Sequence, residues 1–199
     1  MTEVLQFGVL ALGTGAIYVL LAQGIIVVYR GSGIINFAQG AFAMVGGFLF
    51  LELRDNQAWP AVPAVLGAAL VTSVLGLLVH FGVMRQLRAA SALTRTVATL
   101  GVLIVLQSSA ALIWGIDVHF TSPYLPQELV SIGDVAIGVD RLWLLGISVV
   151  LTIGLWAMSR YALFGLATSA VAESERSASA LGWSPDFVAG SNWALGGFL

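Results

Sequence analysis

The chain contains no cysteine and no lysine, so all eight of its basic residues are arginine. Without cysteine there is no disulfide staple, no thiolate nucleophile and no sulfur-based zinc set. Only two histidines occur, His80 and His119, in separate segments with no nucleophile beside either. Neither a catalytic pair nor a metal cluster can be assembled from them, and no cofactor is expected. Charge is scarce as well: 9% of residues are charged, where a soluble domain carries roughly a quarter. With 59% hydrophobic residues and a mean hydropathy of +0.98, the composition is that of an integral membrane protein. Membrane lipid is therefore a certain partner, and nucleic acid is not an expected one.

Charge-free windows locate the membrane spans at residues 4–29, 31–51, 57–84, 96–116 and 142–159. Each meets or approaches the ~20 residues that a helix needs to cross a hydrocarbon core about 30 Å thick. The expected fold class is all-α: a polytopic transmembrane helix bundle of about five complete spans plus the start of a sixth at 187–199. The N-terminus lacks the basic region of a cleaved signal peptide, so the first apolar run is expected to remain as the first helix. The run 187–199 is too short to cross, so residues 1–199 read as a single transmembrane domain incomplete at its C-terminus.

An arginine at a helix centre costs about 2.5–3.5 kcal/mol, which confines the charges to span ends. If Arg85, Arg88 and Arg95 share a cytoplasmic loop, five spans place Arg30, Arg160 and Arg176 on the same side. Arg54 and Arg141 then lie opposite, a division that obeys the positive-inside rule. Should 31–51 re-enter rather than cross, Arg30 changes sides and the bias weakens. The segment 117–141 is expected outside, as an ordered loop with a short hairpin around 130–139. Its simplest role is a lid over the outer mouth; its sharper one is a docking surface. His119, within it, reads as a satisfied polar residue.

Small residues recur four apart at Ala11/Gly15, Ala43/Gly47, Ala64/Ala68 and Ala111/Gly115, a spacing that lets helices approach closely in lipid. The polar side chains within spans are Gln6, Gln23, Asn36, Gln39, His80, Gln107, Ser108 and Ser109. For most of these an interhelical hydrogen bond is a sufficient explanation. Asn36 and Gln39 differ, because they follow a Gly-Ser-Gly break and would share one helix face. A broken helix exposes backbone that is tolerated only against protein or a water-lined cavity. GSGIIN at 31–36 is no phosphate loop, since no lysine follows it.

A second stretch, 161–186, carries Glu173, Glu175 and Arg176 and must lie outside the hydrocarbon core. Residues 172–181 favour a helix, Gly182 supplies its stop, and Ser184-Pro185 can open the next element. Small residues on one face of such a helix would suit a partner's groove, whereas a plain connecting loop would need none.

INFAQGAFAMVGGF, preceded by GAIYVLLAQGIIVVYRGSG, resembles the N-terminal half of the membrane permeases of branched-chain amino acid ABC importers. AVAESERSASALGW at 170–183 resembles the cytoplasmic coupling loop of the same permeases, in the family's order and separation. The resemblance implies a non-enzymatic transport subunit in the plasma (inner) membrane of a prokaryote. It implies a second permease subunit, cytoplasmic ATP-binding subunits, an extracytoplasmic substrate-binding protein and an amino-acid substrate. Gly31, Gly33, Asn36, Gln39 and Gly40 would belong to a motif helix near the pathway. Glu173, Glu175, Ala178 and Gly182 would belong to the segment that meets the ATPase. The family commonly has His at the position of Gln39 and often an acid at that of Ala41. Gln39 keeps hydrogen-bonding capacity but cannot titrate near neutrality, which leaves urea, amides and other amino acids open as cargo. From the residues alone, an ion-coupled carrier or channel built around Asn36 and Gln39, or a nonfunctional fragment, remain alternatives.

Overall fold

The computed structural model describes residues 2–116, 124–126, 128–132 and 135–199; the side chains of residues 2–7, 9–10, 131–132 and 135–136 are left out of the description. His119 and the side chain of Gln6 therefore lie outside the described residues. The chain order is α1 (Thr2–Ser32), α2 (Gln39–Leu51), α3 (Ala61–Val79), α4 (Ala92–Trp114), β1 (Leu129–Ile132), β2 (Val135–Gly138), α5 (Val139–Tyr161), α6 (Leu163–Glu173), α7 (Glu175–Ala180) and α8 (Pro185–Phe198). Both α2 and α3 end in a wider π turn, at Glu52–Asn56 and His80–Met84.

Four helical stretches among the described residues are long and apolar enough to cross a bilayer: Ala11–Ser32, Ala61–Met84, Ala92–Trp114 and Val139–Tyr161. The expected second span differs from its reading as one helix. Residues 34–36 have no regular structure and 37–38 form a turn, so only 13 residues of α2 remain, about 20 Å of helix. Gly33, at φ +64°, turns the chain out of α1. The chain still climbs back into the bundle, because the Gln39 side chain lies against Gly24, two turns up α1 from Ser32. The second crossing is thus an extended segment followed by a half-length helix, and the order of the loops is preserved.

That order sorts the arginines as the positive-inside argument requires. Arg85, Arg88, Arg95 and Arg176 surround one cavity with Gly31, and Arg30 shares a second with Ser159, beside Arg160. At the opposite end the Tyr124 hydroxyl donates to Asp55 at 2.8 Å, Arg54 lies 5.6 Å from the Tyr124 ring centroid, and Phe48 stacks on Trp114 at 5.1 Å. The expected hairpin forms there, pairing Val130 with Ile137 and Ser131 with Ala136.

The core is built around α8, which rises from the arginine-rich end between α1 and α3. Trp193 is buried with Val28, Ile34, Phe42, Val79, Met84 and Leu106. Glycine makes this possible: a Cβ on Gly76 would stand 2.2 Å from the Trp193 carbonyl oxygen, and one on Gly197 would stand 2.3 Å from that of Thr72. Of the small pairs expected from sequence, only Ala64/Ala68 is buried, and it continues along α3 through Thr72 and Gly76 to Val79. Ala11/Gly15, Ala43/Gly47 and Ala111/Gly115 lie on exposed faces of this chain.

Overpacking a close helix contact costs about 1–3 kcal/mol or more, so Gly76→Ala should lower the thermal unfolding midpoint of the detergent-solubilised protein clearly. Gly101→Ala, where no atom lies within 4 Å, should leave it unchanged or slightly raised, since alanine is the better helix former. Equal midpoints for the two variants would contradict this packing.

Candidate functional site

Each residue of the first motif has a distinct position rather than a place on one shared helix. Gly31 closes α1 and is buried; a Cβ there would come within 2.4 Å of the Asn192 side chain. Gly33 holds the positive-φ turn, Asn36 sits in the extended segment, and Gln39 and Gly40 open α2. Asn36 and Gln39 do meet, but through a turn. The Asn36 Oδ1 accepts from the Ala38 amide at 3.0 Å, and its carbonyl accepts from the Gln39 amide at 3.3 Å. This is the side-chain capture of nearby backbone that asparagine makes at helix starts. The Asn36 Nδ2 then donates to Gln39 Oε1 at 3.3 Å, and Gln39 Nε2 donates to the Gly196 carbonyl at 2.8 Å.

Both side chains are turned into the protein, Asn36 at 1% and Gln39 at 3% exposure. Their immediate work is to tie the broken crossing to α8. The exposed side of the same stretch consists of Gly33, Ile35, Phe37, Gly40, Ala43 and Gly47. On this side the Phe37 amide donates to Thr99 Oγ1 of α4 at 3.1 Å, while the amide of the exposed Ile35 donates to no protein group among the described residues.

The second motif differs from the expected single helix over 172–181. Ser174, at φ −159°, breaks it into α6 and α7, and its hydroxyl accepts from the Ser177 amide at 3.2 Å as the cap of α7. Glu173 ends α6, Glu175 opens α7, and both are exposed. Gly182, at φ +89°, supplies the expected stop, and Ser184-Pro185 begins α8 as cap and first residue. Ala178 departs from the docking expectation. It is 1% exposed and packs against Ala167, Val171 and Val188, so the small face is spent within the chain.

The two motifs converge. A cleft of about 740 Å³ at the arginine-rich end is lined by Tyr29 to Gly33 on one side and by Ser169 and Val171 to Glu175 on the other. Asn36, Gln39 and Gly40 lie deeper in the bundle. Sequence reasoning passed over Asn192, whose Nδ2 donates to Thr168 Oγ1 at 3.1 Å and to the Val188 carbonyl at 2.8 Å. It also passed over Thr99, which is fully buried. The available signal was SNWALGG, an amide and paired glycines in an apolar run. Gln23 uses its Nε2 to donate to Thr152 Oγ1, joining α1 to α5. Among the described residues no group of His, Asp and Glu is arranged to hold a metal.

Removing the Gln39 amide leaves a buried carbonyl without its donor, at a cost of about 1–3 kcal/mol. Gln39→Leu is therefore expected to lower the unfolding midpoint. Gly24→Ala, whose Cβ would stand 2.2 Å from Gln39 Nε2, should destabilise the wild-type background but much less the Gln39→Ala background. Additive effects in that double-mutant cycle would show that the two residues do not press on each other.

Residues 9–199 match the family model described as "Branched-chain amino acid transport system / permease component". The high-affinity branched-chain amino acid transport system permease protein LivH of Salmonella typhimurium is 26% identical over 196 positions, covering 92% of this chain and 63% of its own length. LivH of Escherichia coli K12 shows the same identity and coverage, and BraD of Pseudomonas aeruginosa is 27% identical over 207 positions, covering 98% and 67%. The chain thus spans about two thirds of the length of the curated relatives it matches. No solved structure matches. With a multi-pass helical bundle, two ordered motifs and a family match over nearly its whole length, the chain belongs to the permease components of branched-chain amino acid transport systems.

Proposed function

We propose that this chain is the pathway-forming permease of an ATP-driven importer in the plasma (inner) membrane of a prokaryote, carrying branched-chain or similar amino acids. The observation that carries this reading is the corner formed by α6, Ser174 and α7. It presents Glu173 and Glu175 outward at the arginine-rich end while Ala178 anchors the corner to α8. The positive-inside rule makes that end cytoplasmic. Cytoplasmic ATP-binding subunits would bear on Glu173 to Gly182, and a substrate-binding protein would deliver amino acid at the end that carries the hairpin. Residues 1–199 then act as one permease domain, with 161–186 as its coupling segment.

The pathway itself is assigned to the exposed side of the broken crossing. The Ile35 amide, exposed there without a protein acceptor among the described residues, is costly in hydrocarbon and tolerable beside water. Gly33, Phe37 and Gly40 would border the path or the second permease subunit, and Gly31, Asn36 and Gln39 would hold that border in place from behind.

Glu175→Lys is expected to reduce co-purification with the ATP-binding subunits and to abolish uptake while leaving the unfolding midpoint unchanged. This variant is the cleaner probe, because any residue other than glycine at position 182 is strained at φ +89°. Undiminished ATPase association would remove the coupling assignment. Uptake that persists without ATP-binding subunits and collapses with the ion gradient would favour a secondary carrier instead. Single cysteines at Phe37 and Gly40 should react with a water-soluble thiol reagent, and one at Gln39 should not.

A further inference from the structure

A cavity of about 620 Å³ opens at the arginine-rich end, enclosed by the C-terminal end of α3, the first turn of α4, α7 and the N-terminus of α8. Its walls carry four guanidinium groups, Arg85, Arg88, Arg95 and Arg176, against two carboxylates, Asp186 and Glu175. Asp186 is already engaged by Arg85 at 3.2 Å and by Arg88 at 3.5 Å. Neither Arg95 nor Arg176 forms an ion pair among the described residues, and the buried Nε of Arg95 has no hydrogen-bond partner.

A second, independent feature lies in the same wall. His80 is 4% exposed and lines the cavity, and neither ring nitrogen reaches a side-chain partner among the described residues. Its ring packs edge-on against Phe81 at 5.0 Å and lies close to the backbone and carboxylate of Asp186. A neutral imidazole offers one N–H donor and a guanidinium five. With four guanidinium groups against two carboxylates the cavity presents an excess of positive charge and of N–H donors, the complement of an oxyanion. The start of α8, at Ser184 to Asp186, borders the same space and adds the positive end of a 14-residue helix.

Depth indicates where such an anion comes from. The apolar stretch of α3 ends at Met84 and that of α4 begins at Ala92, so the cavity lies at the level where the hydrocarbon core gives way to water. Lipid phosphates stand at that level, and basic pockets between helices on the cytoplasmic side are suited to them. We propose that this cavity binds the phosphodiester headgroup of an anionic membrane lipid, with Arg95 and Arg176 as its charge partners and His80 as a donor from below. Since α7 forms one wall, an occupied cavity braces the corner that carries Glu175 from the membrane side.

The test uses the full chain in detergent, stripped of lipid and titrated with dioleoylphosphatidylglycerol or dioleoylphosphatidylcholine, with bound lipid read by native mass spectrometry. Phosphatidylglycerol should be retained and phosphatidylcholine should not. Arg95→Gln and Arg176→Gln should each weaken retention about fivefold, and Arg95→Lys should restore most of it. Arg160→Gln, at the same end but outside the cavity, should have no effect. Circular dichroism and the unfolding midpoint of each variant establish that it is folded. Equal losses for all three Arg→Gln variants, or equal retention of both lipids, would overturn the site. Inorganic phosphate that stabilises the stripped chain as strongly as phosphatidylglycerol would support the oxyanion chemistry and overturn the lipid as its source.

Discussion

Much of the interior rests on how closely α8 approaches α1 and α3. In lipid there is no hydrophobic drive to bring helices together, so association depends on short-range packing and on hydrogen bonds. Packing falls off steeply with distance, and only residues without side-chain bulk allow backbones to meet. Gly76 and Gly197 permit this against α3, and Gly196, which a Cβ would bring to 2.4 Å from Val28, permits it against α1. At that separation the Gly196 carbonyl reaches Gln39, and Asn192 fits over Gly31. Widening the contact by one methyl group would release the motif stretch as well as the helix.

The broken second crossing is tolerable because of that anchoring. An unpaired amide in hydrocarbon costs several kcal/mol, so the extended residues must find acceptors or water. Asn36 supplies one acceptor for Ala38 and Thr99 supplies one for Phe37. The exposed Ile35 amide has none among the described residues, so it is better placed beside water or a partner than against acyl chains. Buried amide side chains on one edge and small or apolar residues on the other divide the motif into a support and a border. The chemistry of Gln39 is consistent with the supporting role: it donates to a fixed backbone carbonyl, a task that needs no titration.

The terms with the largest energies were legible in the sequence. Charge exclusion located the crossings and sorted the arginines, because several kcal/mol per charge outweighs any local preference. Gly182, Ser184 and Pro185 announced a stop and a start, since left-handed backbone, a hydroxyl cap and a fixed φ are each tied to one residue type. The break inside 31–51 was only half legible. Hydropathy reports that a segment crosses, not how, and a spacing of three between Asn36 and Gln39 suits both a helix face and an asparagine turn. Ser174 was missed because a serine within a helix-favouring run costs little until its hydroxyl captures an amide. The small-residue pairs misled for a related reason. Glycine and alanine are abundant in this chain, and which of them face a neighbour is decided by α8, whose role only the three-dimensional arrangement reveals.

The same helix joins the two motifs mechanically. Its first turn is held by Ala178 against Val188 at the outward-facing corner, and its last turn holds Gln39 through Gly196. Between these points runs about 12 Å of continuous helix, with Trp193 buried in the core. Close backbone contacts at Gly76, Gly196 and Gly197 leave such a helix little room to shift independently of α1 and α3. Under the proposed coupling, a push on α7 would reach the motif stretch through α8, borne first by the Gly196 hydrogen bond. A flexible connection would have absorbed it in the loop after Gly182. The buried face of Ala178 acquires its meaning here: a small residue at that position couples the corner to α8 by contact, where a larger one would hold the two apart.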